Sequence, residues 1–196
     1  MNERVPIRTV SSRVVYKNQW SSYREDIIER IAADGTVSPG LYGVLDKDPS
    51  SLVIPLEQTP EGDFVWLVRQ FRYTVQGTFF EFPQGGWEMG EDVDKEELAR
   101  GELREETGLE AERMTRLGDL WIAYGAMRQC HSIFLAEGLR QGETERDEEE
   151  HDMTVHRVTV DEFEQMVLDG RVMDNCSVAA WGLYRIWRER RLGASR

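Results

Sequence analysis

Three carboxylates in one short stretch set the chemistry open to this chain. Residues 85–109, GGWEMGEDVDKEELARGELREETGL, pass from a glycine-rich turn into an acid-laden segment that reads as a helix from about Val93 to Thr107. Glu102, Glu105 and Glu106 fall at i, i+3 and i+4 of that helix, which is one face. Ala99 and Leu103 occupy the neighbouring sector and can dock the helix on a sheet, so the acidic face stands at the edge of that contact rather than in bulk water. Like charges so placed repel one another, and a divalent cation is the usual compensation. Mg²⁺ and Mn²⁺ favour oxygen donors, and Mg²⁺ sits on a few carboxylates plus substrate phosphates. Taken alone, these acids read as a solvated face with i,i+4 pairing.

Composition narrows the partners. At 196 residues, with 40% hydrophobic and 10% aromatic content, the chain suits one domain with a buried core and room for a small appended subdomain. Its net charge of −13 argues against nucleic acid or a membrane surface held by general electrostatics. An acidic protein acting on an anionic substrate needs metal ions or a focused cluster of arginines. Cys130 and Cys176 lie far apart without CxxC or Cys/His spacing, and read as reduced core residues of a cytoplasmic protein rather than a disulfide or zinc site. The N-terminus MNERVPIRTV lacks an apolar signal core, and no apolar run approaches membrane-spanning length. His151 and His156 are isolated and read as structural.

The elements that must position the acids can be taken in order. Residues 12–17 and 23–32 read as strands, the second turning at Ala33-Asp34-Gly35 toward a third near Leu41–Leu45, which makes a small N-terminal antiparallel sheet over residues 1–47. Trp20 and Tyr16 have faces for stacking on a base, but large aromatics in such a sheet more often pack. The remaining residues, 48–196, form the main domain, in which Leu52–Leu56 and Phe64–Phe71 read as core strands. Arg72 ends the second, placed for a surface ion pair or for gripping phosphate. Met114–Ala123 and Cys130–Ala136 read as two further strands separated by a loop. The acidic run 142–153 reads mainly as a solvated segment. Val160–Leu168 is a short helix stopped by Gly170, and Ser177–Glu189 a C-terminal helix packing through Ala179, Leu183, Ile186 and Trp187, flanked by Ala180 and Tyr184.

The string from Gly85 resembles the signature of the Nudix hydrolases: Gly, five residues, Glu, seven residues, then Arg-Glu-apolar-x-Glu-Glu-x-Gly-apolar. Gly85, Glu91, Glu102, Leu103, Glu105, Glu106, Gly108 and Leu109 occupy matching positions. Two departures stand out. Nine residues instead of seven follow Glu91, and Gly101 replaces the arginine that steadies the acids in the family. Arg100, displaced by a local π-bulge, is the expected substitute. Residues 15–45 and the Gln70-x-Arg72 step are similar to the ADP-ribose pyrophosphatase branch, as is Phe79–Gln84 leading into the box.

That resemblance implies an α/β (α+β) fold, an α/β/α sandwich with a mixed central sheet, and a homodimer in which the N-terminal sheet crosses to the partner. It implies metal-dependent hydrolysis of the pyrophosphate of a nucleoside diphosphate sugar, with ADP-ribose giving AMP and ribose 5-phosphate. GDP-mannose, a UDP-sugar or CDP-choline are alternative substrates, and a non-catalytic nucleotide-sugar-binding module is the non-enzymatic alternative. By the same resemblance Mg²⁺ or Mn²⁺ sits on Glu102, Glu105, Glu106 and the backbone carbonyl of Gln84. Arg72 and Glu81 face substrate, with Trp20 the candidate from its residue type for stacking on the base; Glu105 belongs to the catalytic set, and a loop glutamate activates water. Counting back from Val155–Val158 makes Glu149 the best match for that glutamate and Glu150 the second.

Overall fold

The computed structural model describes residues 5–86, 94–142 and 152–194. The chain divides into two compact units: residues up to Asp48 together with Trp121–Gln129, and Pro49–Leu120 together with Cys130 onward. In the first, β1 (Ile7–Lys17), β2 (Ser22–Ile31) and β3 (Val37–Asp46) form an antiparallel meander, and β9 (Met127–Arg128) adds to β3 in parallel. Short polar side chains make its turns. Asn18 Oδ1 accepts from the backbone N–H groups of Trp20 (2.9 Å) and Ser21 (2.8 Å), and Asp34 Oδ1 accepts from Thr36 N–H at 2.9 Å. Every residue of β1 is exposed.

The second unit is built on β4 (Ser50–Thr59), whose first seven residues are buried as a run because layers cover both of its faces. β10 (Cys130–Gln141) pairs with β4 in parallel, from His131 opposite Ser50 to Ala136 opposite Pro55. β5 (Gly62–Arg72) pairs with it antiparallel only from Leu56 opposite Val65 to Thr59 opposite Gly62. Beyond that point β4 and β5 part, and two short strands fill the fork. β6 (Gly77–Glu81) continues along β5, and β7 (Gln84–Gly86) runs along Ser50–Leu52. β11 (Thr154–Thr159) takes the other side of β5, and β8 (Leu109–Trp121) borders β10, so the described sheet is mixed, with seven strands. The fork matters for function, because it is what brings Gln84 and Gly85 beside the central strand.

Alternation along β4 and β10 feeds two cores. Leu52, Ile54, Leu56, Ile133 and Leu135 face α2 (Val160–Leu168) and α3 (Asn175–Ala194), where Phe82, Phe163, Trp181 and Tyr184 complete the cluster. Val53, Phe134 and Ala136 face α1 (Lys95–Thr107) through Ala99 and Leu103. The expected α/β/α sandwich is therefore present. α3 packs through a face rotated from the one its sequence spacing gave, with Leu183 and Trp187 partly buried at its edge and the expected flanks Ala180 and Tyr184 near its centre. Ser177, Ala180, Trp181 and Tyr184 are buried, whereas Ala179 is exposed and Ile186 is 55% exposed. Trp181 decides the rotation: its ring lies 5.1 Å from Phe163 and 4.9 Å from Tyr184, centroid to centroid, and places Ile186 on the far side.

Candidate active site

α1 is held at both ends by local chemistry. Asp94 caps it, its Oδ1 accepting from Glu96 N–H at 2.8 Å and Glu97 N–H at 3.1 Å, and those two acids complement the helix N-terminus. Gly108 closes it in the left-handed conformation at φ 71°, which a side chain disfavours, and its N–H donates to Arg104 O at 2.8 Å. Buried Ala99 and Leu103 then fix which face meets the sheet.

With that face fixed, the three glutamates separate by angle. Glu106 is buried at 3% exposure, and its Oε2 accepts the backbone N–H of Gln84 at 3.2 Å. Glu102 lays its carboxylate over Gly85, so closely that a Cβ at that position would stand less than 3.0 Å from it. The glycine is needed here for close approach rather than for an unusual backbone angle. Glu105 lies on the outer side of Glu102, half-exposed, with Oε1 3.9 Å from Arg104 Nη2. Among the described residues no three His, Cys, Asp or Glu side chains are gathered as a ready metal-binding group. Two of the three acids thus meet β7, and the third flanks them.

The donor set nonetheless fits a hard divalent cation. Glu102, Glu106 and the Gln84 carbonyl offer only oxygens, one carboxylate is buried, and Gly85 admits the Glu102 carboxylate into the space a Cβ would fill.

Behind β7 stands a polar network. Arg72 grips Glu81 with two contacts, Nη2 to Oε1 at 2.8 Å and Nε to Oε2 at 3.3 Å. Burial pushes the Glu81 carboxyl above its usual range. Arg72 and the Gln84 amide pull it back, Asp174 adds to the rise, and the net direction is upward. Burial works against the Arg72 guanidinium too, yet Glu81, then Glu106 and Asp174, hold it above its ordinary value. Gln84 Nε2 donates to Glu81 Oε2 and to Asp174 Oδ2, both at 3.0 Å. Burial, with Asp174 and Glu81 nearby, pushes the Cys176 thiol up to about 12, so it is not a thiolate nucleophile; both cysteines are free.

Asp174 and Ser177 belong to this network and were not among the sequence candidates. The signal for them was Asp-Asn-Cys-Ser opening a helix, a capping pattern with no chemical motif attached. Arg100 does not take the role expected of it. α1 is regular from Lys95 to Thr107, and Arg100 lies opposite Glu102, donating to Glu96 Oε1 at 2.9 and 3.1 Å and to Ala111 O at 2.8 Å. An i,i+4 partner on its own face is simply nearer. Trp20 follows the Asn18 turn of the first unit, 44% exposed. Glu91, Glu149, Glu150 and His151 lie outside the described residues. His156, on β11, packs edge-on against Phe80 at 5.0 Å between centroids.

The NUDIX domain family model matches residues 47–176. The chain is 33% identical over 129 residues to the ADP-ribose pyrophosphatase of Bacillus subtilis (strain 168), an alignment covering 65% of this chain and 68% of that protein. It is 34% identical over 114 residues to the ADP-ribose pyrophosphatase of Mycobacterium tuberculosis (strain ATCC 25618 / H37Rv), covering 58% and 55%. In three dimensions it matches the crystal structure of an ADP compounds hydrolase with a TM-score of 0.76, at 17% identity over 97% of this chain and 98% of that one. Among the described residues no helix is long and apolar enough to cross a membrane. With most of its length matched, and with the box glycine and acids meeting at β7 and α1, the chain belongs to the NUDIX family.

Proposed function

We propose that this protein hydrolyses the pyrophosphate bond of a nucleoside diphosphate sugar, with ADP-ribose as the leading substrate and AMP and ribose 5-phosphate as products. The observation that carries the reading is the meeting of Glu102 and Glu106 with the Gly85 and Gln84 backbone, on a chain whose relatives include ADP-ribose pyrophosphatases. Glu102, Glu106 and the Gln84 carbonyl would hold Mg²⁺ or Mn²⁺, with Glu105 on the flank. The ion would supply charge neutralisation on the phosphates and a more acidic bound water. Arg72 presents planar paired donors to the diphosphate, and buried Glu81 keeps that guanidinium oriented. Glu149, or Glu150 next to it, orients the attacking water and accepts its proton. Trp20 offers a ring for the base.

A second reading, a nucleotide-sugar-binding module without turnover, is favoured by Gly101 at the arginine position and by the outward placement of Glu105. A panel of ADP-ribose, GDP-mannose, UDP-glucose and CDP-choline, incubated with Mg²⁺ or Mn²⁺ and read as phosphate after phosphatase coupling, separates the readings. ADP-ribose is expected to be cleaved fastest; faster cleavage of another member reassigns the substrate, and binding without cleavage of any favours the module.

The protein is further proposed to be a cytoplasmic homodimer. Val10, Val14, Val15 and Tyr16 on β1 are all more than half exposed, an apolar surface that a second copy would cover. Sedimentation should give twice the 22.7 kDa chain mass; a monomer at micromolar concentration would rule the dimer out.

A further inference from the structure

The segment Glu81–Gly86 carries the carbonyl assigned to the cation; its backbone runs along β4, and it is tied as well to a helix on either side. On the α1 side Glu106 accepts the Gln84 N–H. On the α3 side there are two ties: Phe82 N–H donates to Ser177 Oγ at 2.8 Å, and Gln84 Nε2 donates to Asp174 Oδ2 at 3.0 Å. Asp174 is itself locked before it meets Gln84. Its Oδ2 accepts from Ser177 N–H at 2.8 Å and Ser177 Oγ at 2.7 Å, and its Oδ1 accepts from Cys176 N–H at 3.3 Å. Capping α3 needs only a short acceptor, and serine serves as well as aspartate. What the aspartate adds is a second oxygen: Oδ1 holds the Cys176 N–H while Oδ2 serves both Ser177 and Gln84. The other amide proton of Gln84 goes to Glu81, so the side chain is pinned from both sides.

We propose that Asp174 is a positioning residue: through the Gln84 amide it fixes the Gln84–Gly85 backbone against Glu102 and Glu106, and so sets the geometry of the cation site. The inference rests on the cation site proposed above. Because the Gln84 side chain and carbonyl share one Cα, pinning the amide limits rotation of the peptide that carries the ligand oxygen. Outer contacts of this kind typically cost about 10–100-fold in metal affinity or activity when removed.

Asp174→Ser keeps a capping hydroxyl but, one bond shorter and with a single oxygen taken by the helix N–H groups, gives up the contact with Gln84. It is expected to keep the wild-type melting temperature, to bind Mn²⁺ about 10–100-fold more weakly in calorimetric titrations without nucleotide, and to lower kcat on ADP-ribose by a similar factor with KM little changed. Gln84→Leu cuts the same tie from the other end, and the double variant should be no worse than the poorer single. Asp174→Asn, whose amide oxygen can occupy the Oδ2 place, should recover most of the loss, because the role is geometric rather than one of charge. Unchanged Mn²⁺ affinity in Asp174→Ser, losses that multiply in the double variant, or no recovery in Asp174→Asn would overturn the proposal. Should Asp174→Ser melt early, Gln84→Leu decides, since it leaves the cap intact: wild-type affinity there overturns the role. If the variants weaken Mn²⁺ binding as expected but no nucleotide sugar is cleaved by the wild type, the substrate assignment fails and the role of Asp174 stands. No Mn²⁺ binding by the wild type overturns both.

Discussion

Gly85 and Glu102 form the closest-fitted pair of the candidate site. The carboxylate occupies the space where any other residue would carry its Cβ, and the atom it would meet is the mobile end of a side chain. Gly85→Ala is therefore expected to move Glu102 rather than unfold the protein. Its melting temperature should stay near wild type while turnover falls about 100-fold, the scale on which a displacement of about 1 Å acts. A cooperative loss of fold, or undiminished turnover, would contradict this account of the pair. The sequence carried Gly85 and the three glutamates plainly, because motif spacing survives in one dimension. It did not carry Asp174 or Ser177, since their importance comes from meeting Phe82 and Gln84, more than ninety residues away in the case of Ser177 and Phe82. Nor did it show that Glu106 turns inward while Glu105 turns out, which depends on the docking of Ala99 and Leu103.

At the scale of elements, strands with dense β-branched and aromatic runs were legible from pattern alone, as was α1. β6, β7 and β9 were not read as strands, for they are short and exist because longer strands part or end beside them. The C-terminal helix was legible as a helix and its packing face in part, through Ala180, Leu183, Tyr184 and Trp187, but its rotation was not, because Ile186 and Trp181 both offer apolar surface and only the position of Phe82 and Phe163 chooses between them. That choice is measurable. Trp181→Ala should cost about 3–5 kcal/mol in denaturant unfolding, as for a large buried aromatic. Ile186→Ala should stay within about 0.5 kcal/mol, as for an ordinary surface site. Equal costs would return the helix to the face that spacing alone suggested.

For the molecule as a whole, the balance of charge frames the function. A chain at −13 would have to gather cations before it could hold a diphosphate, and the means proposed for it are Arg72 and the α1 glutamates that meet β7. The central proposal is that Glu102, Glu106 and the Gln84 carbonyl hold a divalent ion. Crystals soaked in Mn²⁺ and measured at the manganese absorption edge test it most directly. The account predicts an anomalous peak bounded by the Glu102 and Glu106 carboxylates and the Gln84 carbonyl, absent from a Glu106→Gln crystal treated alike. No peak there, or one that persists when Glu106 is replaced, would contradict it.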